Sequence, residues 1–500
     1  MKYESTRGNS PAVSAAKAIK KGIAPDGGLF VPIENVTITQ AELQRLTSLS
    51  YAERAVAILK LFLTDFTEKE LIDCVEAAYG GDKFDAPEVV PVKSLTPDTA
   101  VLELWHGPTC AFKDMALQIL PQFLVRSLVK TGETSEIVIL VATSGDTGKA
   151  ALDGFADVPG TSIIVFFPQE GVSEVQRLQM ITQQGNNVHV LGVHGNFDDA
   201  QSGVKQVFGD KELAQALADK GYRLSSANSI NWGRLVPQII YYFSAYADLV
   251  QAGTIQFGQS INFVVPTGNF GNILAGFYAK SMGLPINRLI CAANPNNVLT
   301  DFIQTGTYNR NRNFLKTLSP SMDILISSNL ERLLYELTGR QAEKINGWMN
   351  ELKTNGVYSV DPVTREKVSS HFWSDFADDQ ETLATIQKTW AQHHYLLDTH
   401  TAVAVRVLEK YRRATGDTTY SVVASTASPF KFNGSVAKAL LGDEAIAGKS
   451  EFNLLSDLSA FTGWPIPKGL HDLDKRPVLH KEVTGKDKID EAVRNILLTP

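Results

Sequence analysis

The stretch His106–Gln118, "HGPTCAFKDMALQ", sets a lysine in a tightly turned, apolar context. Lys113 follows a strand-like run, Ala100–Trp105, and the turn "HGPT", and it stands where "KDMALQILPQF" reads as a helix. At a helix start the dipole disfavours a cation. A lysine held in a pocket has its pKa lowered from about 10.4 and becomes a nucleophile and a base. The competing reading is a surface lysine, the ordinary fate of that residue. Cys110 reads as packing, and Asp114 as a carboxylate favourable to the helix dipole.

Four further segments concentrate polar chemistry where a strand ends. "TSGDTGKAA" (Thr143–Ala151) has glycines for a sharp turn and a helix start that offers free N–H groups to an anion. It is not a nucleotide P-loop: that pattern, ending at Gly148-Lys149, needs glycine at 143 and Ser or Thr at 150, where the chain has Thr143 and Ala150. "PTGNFGN" (Pro266–Asn272) sets Gly268 and Gly271 around Asn269 and Phe270, a turn whose successive N–H groups can nest a phosphate. Its spacing does not support dinucleotide binding. "SSANSINWGR" (Ser225–Arg234) ends in an arginine whose fork of donors suits a carboxylate or phosphate. "STASPFKF" (Ser425–Phe432) is rich in hydroxyls. Each taken singly is equally a turn or a helix cap. Together, a nucleophilic lysine and a phosphate nest describe a pyridoxal phosphate site.

The elements that must position these groups read as α/β. Apolar runs at Glu136–Ala142, Ser162–Phe167, Asn187–Val193, Ile261–Val265, Arg288–Ala293 and Tyr420–Ser425 alternate with helical patterns, as in parallel sheet covered on both faces. Such sheets bind ligands at the carboxyl ends of their strands. The first ninety-odd residues read as helices and turns. Asp85–Asp98, with three prolines, reads as a connector; Thr305–Ser321 as loops; and Arg340–His400 as helical. No fixed-period repeat or low-complexity tract occurs.

Composition narrows the class. The 500 residues are 44% hydrophobic and 20% charged, with net charge −7. No basic tract is present, so nucleic acid is not an expected partner. No apolar run approaches the ~18 residues of a membrane span, and the N-terminus lacks an apolar signal segment. Three cysteines outside any CxxC pattern fit a reducing compartment, with neither disulfide framework nor metal site. A cytoplasmic protein, monomeric or a small homo-oligomer, is the expectation.

The ordered segments "HGPTCAFKD", "ATSGDTGKAA", "SANSINWGRL", "PTGNFGN", "SSNLERLL" (Ser327–Leu334) and "DTHTAVA" (Asp398–Ala404), with the N-terminal "STRG…AIKKGIAPDGGLFVP", resemble the threonine synthases. These are fold-type II, tryptophan-synthase-β-like pyridoxal phosphate enzymes, and the likeness is to their longer bacterial and fungal-type branch. The resemblance implies two parallel-sheet α/β domains with an additional, mainly helical N-terminal region over residues 1–95. Within the catalytic region 96–500, about 120–215 would form the smaller domain, and 96–119 with 216–500 the larger. It implies that Lys113 is the Schiff-base lysine and that Gly268, Asn269, Phe270, Gly271 and Asn272 cradle the cofactor phosphate. Thr426 would meet the pyridine nitrogen, and Asp146 would border the ring hydroxyl. Ser144, Gly145 and Thr147 would receive the substrate carboxylate. Asn228, Arg234, Ser327, Asn329 and Arg332 would hold the substrate phosphate, with Lys149 a further cation.

The implied reaction turns O-phospho-L-homoserine and water into L-threonine and phosphate by γ-elimination and β-addition of water, the last step of threonine biosynthesis. The family pattern "TAHPAKF" stands here as "TASPFKF", with Ser428 and Phe430 departing and Thr426 and Lys431 kept. The alternatives are another fold-type II lyase, of the threonine dehydratase or cysteine synthase kind, and a non-catalytic paralogue that binds the cofactor or a metabolite.

Overall fold

The computed structural model describes residues 1–499. Two sheets organise the chain. The larger has six strands, in the order Phe372–Phe376, Ile286–Ala293, Ile261–Pro266, Ser421–Ser425, Thr99–Glu103 and Val92–Thr96; all pairs are parallel except the last. The smaller has five parallel strands, in the order Val483–Gly485, Val188–His194, Thr161–Pro168, Glu136–Ala142 and Tyr222–Ser225.

Both faces of the smaller sheet are covered, which is why its strands read as continuous apolar runs. Val138, Leu140, Ile164 and Phe166 join a cluster with Val204, Leu213 and Ile489. Their neighbours Ile137, Ile139, Ile163 and Val165 point into the main core. This is the two-residue alternation of a strand. On the larger sheet, helix Thr399–Thr415 packs against four of the strands.

The expected α/β class with two parallel sheets holds; several boundaries do not. The resemblance puts residues 216–500 whole in the larger body, but strands Tyr222–Ser225 and Val483–Gly485 pair in the smaller sheet, and helix Ile489–Leu498 buries Ile489, Val493 and Leu497 against it. The connector Asp85–Asp98 contains the antiparallel edge strand Val92–Thr96, whose exposed middle hid the apolar signal. Within Thr305–Ser321, Thr307–Asn309 pairs antiparallel with Val357–Ser359. The helical stretch Arg340–His400 holds a strand of the larger sheet, Phe372–Phe376. The helix expected after the opening motif is two pieces, Asp114–Leu117 and Leu120–Lys130, the second with proline in its first turn, where no N–H is needed.

The N-terminal region is mainly helical, with helices Ala15–Lys21, Gln40–Leu46, Tyr51–Phe62 and Glu68–Tyr79 and a two-stranded ribbon, Tyr3–Ser5 with Phe30–Pro32. Capping boxes at Thr39/Glu42, Ser50/Glu53 and Thr67/Glu70 fix three of its helix starts. Tyr3 and Phe62 pack on Trp232, the first residue of helix Trp232–Gln251. Asn231 caps that helix and also donates to Ile19 O at 2.9 Å. The N-terminal region thereby fixes the helix start that carries Arg234.

Candidate active site

The site is assembled at strand ends. After Thr99–Glu103 the chain turns through Gly107–Cys110, with Cys110 in the left-handed region at φ 60°. Asp114 closes this turn, accepting Thr109 N–H at 2.8 Å and Thr109 Oγ1–H at 2.7 Å. Burial pushes the Asp114 carboxyl up to about 7 despite those donors. The segment after the turn is zipped to the end of strand Ser421–Ser425: Phe112 N–H donates to Thr426 O at 2.8 Å and Ser428 N–H to Cys110 O at 3.0 Å. Lys113 is therefore held by backbone pairing on one side and a helix start on the other. The Cys110 thiol is buried and pushed up to about 12, so it is no nucleophile.

The second wall begins after strand Glu136–Ala142. Gly145, at φ +142°, starts helix Asp146–Phe155, and a Cβ there would lie 2.6 Å from the Gln176 side chain. Asp146 thus enters the site close to Lys113, their Nζ and Oδ2 atoms 3.7 Å apart. Gly154, two turns along, lets this helix touch the lysine-bearing turn, because a Cβ there would sit 2.0 Å from Leu117 O.

Asp146 is the hub. Its Oδ1 accepts Lys431 Nζ at 3.0 Å and Gln176 Nε2 at 2.8 Å, and its Oδ2 accepts Ser321 Oγ–H at 3.2 Å. Burial opposes the charge, but Lys431 and Lys113 outweigh it and hold the carboxyl well below its usual range. Lys113 Nζ donates to Ser321 Oγ at 3.4 Å, and its side chain is 12% exposed. Burial lowers the Lys113 pKa; Asp146 opposes this, and Lys431 and Arg234 add to it.

Ser321 is itself fixed. Its N–H donates to His400 Nε2 at 3.1 Å, while His400 Nδ1 lies 2.9 Å from Asp398 Oδ1. Since Nε2 accepts, the proton sits on Nδ1, the tautomer that the Asp398 carboxylate selects. Asn294 and Asp323 tie the surrounding turn together at 2.7 Å.

The third wall follows strand Ile261–Pro266. Phe270 adopts φ 64°, and helix Gly271–Ser281 begins directly after it. Ser327 Oγ–H donates to Gly268 O at 2.7 Å and Asn329 Nδ2 to Asn269 O at 3.0 Å, so the "SSNLERLL" segment props this turn. Asn272 Oδ1 accepts Tyr242 OH at 2.7 Å, while its Nδ2 is buried without a protein partner. Arg234 donates to Ala227 O at 2.8 Å; its Nε is also buried without a protein partner, and burial draws its pKa down to about 10. A buried guanidinium with an unused donor suits an anion, and so, on its own account, does a helix N-terminus that carries an unused amide.

The remaining expected residues take varied places. Ser144 is exposed, and Thr147 half-buried in the first turn of helix Asp146–Phe155. Thr426 is buried at the zipper. Asn228 is exposed, its Oδ1 accepting Ile230 N–H at 3.3 Å. Arg332 is fully buried and braces the site from behind, donating to Phe30 O, Asn329 Oδ1 and Ile230 O at 3.0, 2.6 and 2.6 Å. Lys149 is engaged elsewhere, with Asp153 at 3.2 Å and Gln183. Ser428, at the departure from "TAHPAKF", is buried and caps the turn Pro429–Phe432. Sequence reasoning did not place Ser321, Gln176, or the Asp398–His400 pair in the site. The Asp-Thr-His spacing, a capping aspartate two residues before a histidine, was the available signal for the last. Among the described residues no group of His, Cys, Asp and Glu could hold a metal ion, and no helix is long and apolar enough to cross a membrane.

A buried lysine of lowered pKa, bonded to Ser321, whose backbone oxygen packs against Gly268 of the anion nest, on fold-type II architecture, defines a pyridoxal-phosphate-dependent enzyme. The family described as "Pyridoxal-phosphate dependent enzyme" matches residues 97–348, flanked by "Threonine synthase N terminus" at 2–79 and "Threonine synthase, C-terminal" at 401–495. The chain belongs to the threonine synthase family. The threonine synthase of Saccharomyces cerevisiae is 40% identical over 468 residues, covering 88% of this chain and 89% of that one. The solved structure of a PLP-bound threonine synthase from Brucella melitensis shares 39% identity at a TM-score of 0.88, covering 99% of both chains. Threonine synthase-like 1 of Homo sapiens is 41% identical over 435 residues, 85% of this chain but 58% of its own length, so the chain spans less than two thirds of that relative.

Proposed function

We propose that the protein is a threonine synthase, converting O-phospho-L-homoserine and water to L-threonine and phosphate. The observation that carries this reading is the buried Lys113 amine beside Asp146, within the electrostatic reach of Arg234, whose Nε is unused. The residues fit pyridoxal phosphate: the unpartnered Asn272 Nδ2 and the N–H groups at the start of helix Gly271–Ser281 suit its phosphate. Gly268, Asn269, Phe270, Gly271 and Asn272 would hold that phosphate, Thr426 would meet the ring nitrogen, and Lys113 would carry the covalent link. When bound, the cofactor supplies an electron sink conjugated to the α-carbon of an amino acid.

The rest is the work of the chain. Lys113 Nζ, lowered in pKa, accepts and returns a proton at the substrate α-carbon. Ser321 Oγ, bonded to both Lys113 and Asp146, fixes the direction of that amine. Ser144, Gly145 and Thr147 offer the start of helix Asp146–Phe155 to the substrate carboxylate. Arg234 and Asn329 form a cationic and amide wall for the substrate phosphate, with Arg332 bracing Asn329. Asn228 and Ser327 border that wall.

Purified protein is incubated with O-phospho-L-homoserine, L-serine or L-threonine, and free phosphate and keto acid are both scored. Phosphate release with threonine formed is the expected result; keto acid from serine or threonine instead assigns another fold-type II lyase. Lys113→Ala should lose both the visible absorbance of the bound cofactor and turnover. One observation favours a second reading, a paralogue that binds the cofactor without turnover: Ser428 and Phe430 stand in "TASPFKF" where the family pattern has His and Ala. Bound cofactor with no phosphate release would select it.

A further inference from the structure

One carboxylate is shared between two lysines in this site, and the partition is unequal. Lys431 Nζ lies 3.0 Å from Asp146 Oδ1, its side chain has no solvent exposure, and its other contact is Thr109 O at 2.7 Å. Lys113 Nζ lies 3.7 Å from Asp146 Oδ2, an atom that Ser321 already occupies at 3.2 Å. Asp146 is thus neutralised by Lys431, and Lys113 is its loosest partner. With Lys113 as a neutral amine, the cluster Lys113–Asp146–Lys431 has no net charge. A proton on Lys113 would leave an excess positive charge in a desolvated site, with the Arg234 guanidinium close by, and such a charge is costly. Were Lys431 absent, the same proton would complete an ion pair with Asp146.

We propose that Lys431 is a positioning residue that occupies Asp146 and so keeps Lys113 available as a free amine. The inference rests on Lys113 being the cofactor lysine. The charged groups that act on Lys113 are Asp146 from helix Asp146–Phe155, Lys431 from the turn Pro429–Phe432, and Arg234 from helix Trp232–Gln251. Ser321 comes from the turn Pro320–Met322. His400 reaches only the Ser321 N–H, and the Asp114 carboxyl is turned to Thr109. The spacing of the two lysines is set by the backbone zipper, Phe112 to Thr426 and Ser428 to Cys110.

The test measures the titration of Lys113 in cofactor-free protein, by competitive acetylation with acetic anhydride and peptide mass spectrometry. Lys431→Met should slow Lys113 acetylation at neutral pH by about tenfold or more, the equivalent of an upward shift of one pKa unit. Lys431→Arg should restore the rate to within about threefold, because the charge is kept. Asp146→Asn should move the titration downward, the opposite sign, which loss of packing would not produce. A folded Lys431→Met protein whose Lys113 titration is unmoved or lowered overturns the proposal. If Lys431→Met does not fold, Asp146→Asn decides, and an unmoved or raised titration there overturns it equally. Borohydride trapping of added pyridoxal phosphate on wild-type Lys113 is read separately. Failure to trap there sinks the assigned function, whereas the titration shifts decide the part played by Lys431.

Discussion

His106 begins the motif that carries Lys113, and its chemistry is stabilising. The imidazole stacks on Trp105 and lies 2.5 Å from Asp85 Oδ1 and 2.8 Å from Glu103 Oε2. Burial works against its charge, but the two carboxylates overcome this and lift its pKa to about 9, above the ordinary value of 6.5. A folded-state pKa raised above the unfolded one contributes stability that is fully present below pH 6.5 and lost as pH rises through about 9. Urea unfolding midpoints of wild type and His106→Gln, compared across that window, should converge at high pH. The gap closing is about 2 kcal/mol, discounted because Asp85 is partly exposed and screened. Legibility at this scale was uneven. Lys113, Asp146 and Gly268–Asn272 each sit inside a local turn-and-helix pattern, so the sequence displays them. Ser321 and Lys431 reach the same carboxylate from 175 and 285 residues further along the chain, and nothing near them in sequence records the meeting.

Two elements hold the site to its geometry. Helix Asp146–Phe155 meets the turn after Lys113 through Gly154, and Gly154→Ala would force a Cβ to within 2.0 Å of a backbone oxygen. The variant should lose about 1–3 kcal/mol of stability, read as a lowered urea midpoint, with Lys113 labelling altered because the wall that carries Asp146 is displaced. Helix Thr399–Thr415 is capped by Asp398, which accepts His400 N–H at 2.8 Å and Thr401 N–H at 3.3 Å. Asp398→Ala should cost about 1–2 kcal/mol as a lost cap. It also frees the His400 ring, so an NMR shift of the Ser321 amide should accompany the loss of stability; stability loss with that amide unchanged would show the cap alone to matter. Long apolar strands such as Thr161–Pro168 were legible because burial on both faces writes an unbroken run. Phe372–Phe376 reads "FWSDF" and Val483–Gly485 reads "VTG": one carries a Ser-Asp pair, the other is too short to show a period, and only their partners make them strands.

At the scale of the whole molecule, the chain leaves the smaller sheet after Tyr222–Ser225, builds most of the larger one, and returns with Val483–Gly485 and helix Ile489–Leu498. Arg494 pairs with Asp210 at 3.1 Å, and Ile489, Val493 and Leu497 complete the cluster under helices Phe197–Gly209 and Lys211–Asp219. Truncation after residue 481 should therefore raise hydrogen exchange selectively in Glu136–Ser225 and leave Ile261–Ala293 protected; uniform loss of protection would count against separate completion of the two sheets. The same return has a consequence for biosynthesis. At about 5–20 residues per second, translation reaches Val483–Gly485 on the order of tens of seconds after Val188–His194 has emerged. For that interval the nascent chain presents an open hydrogen-bonding edge and an apolar face that helices Phe197–Gly209 and Lys211–Asp219 cover only in part, the combination that invites intermolecular strand pairing. Expression yield and chaperone demand are thus tied to strand Val483–Gly485 and helix Ile489–Leu498, far in sequence from any residue that touches the chemistry.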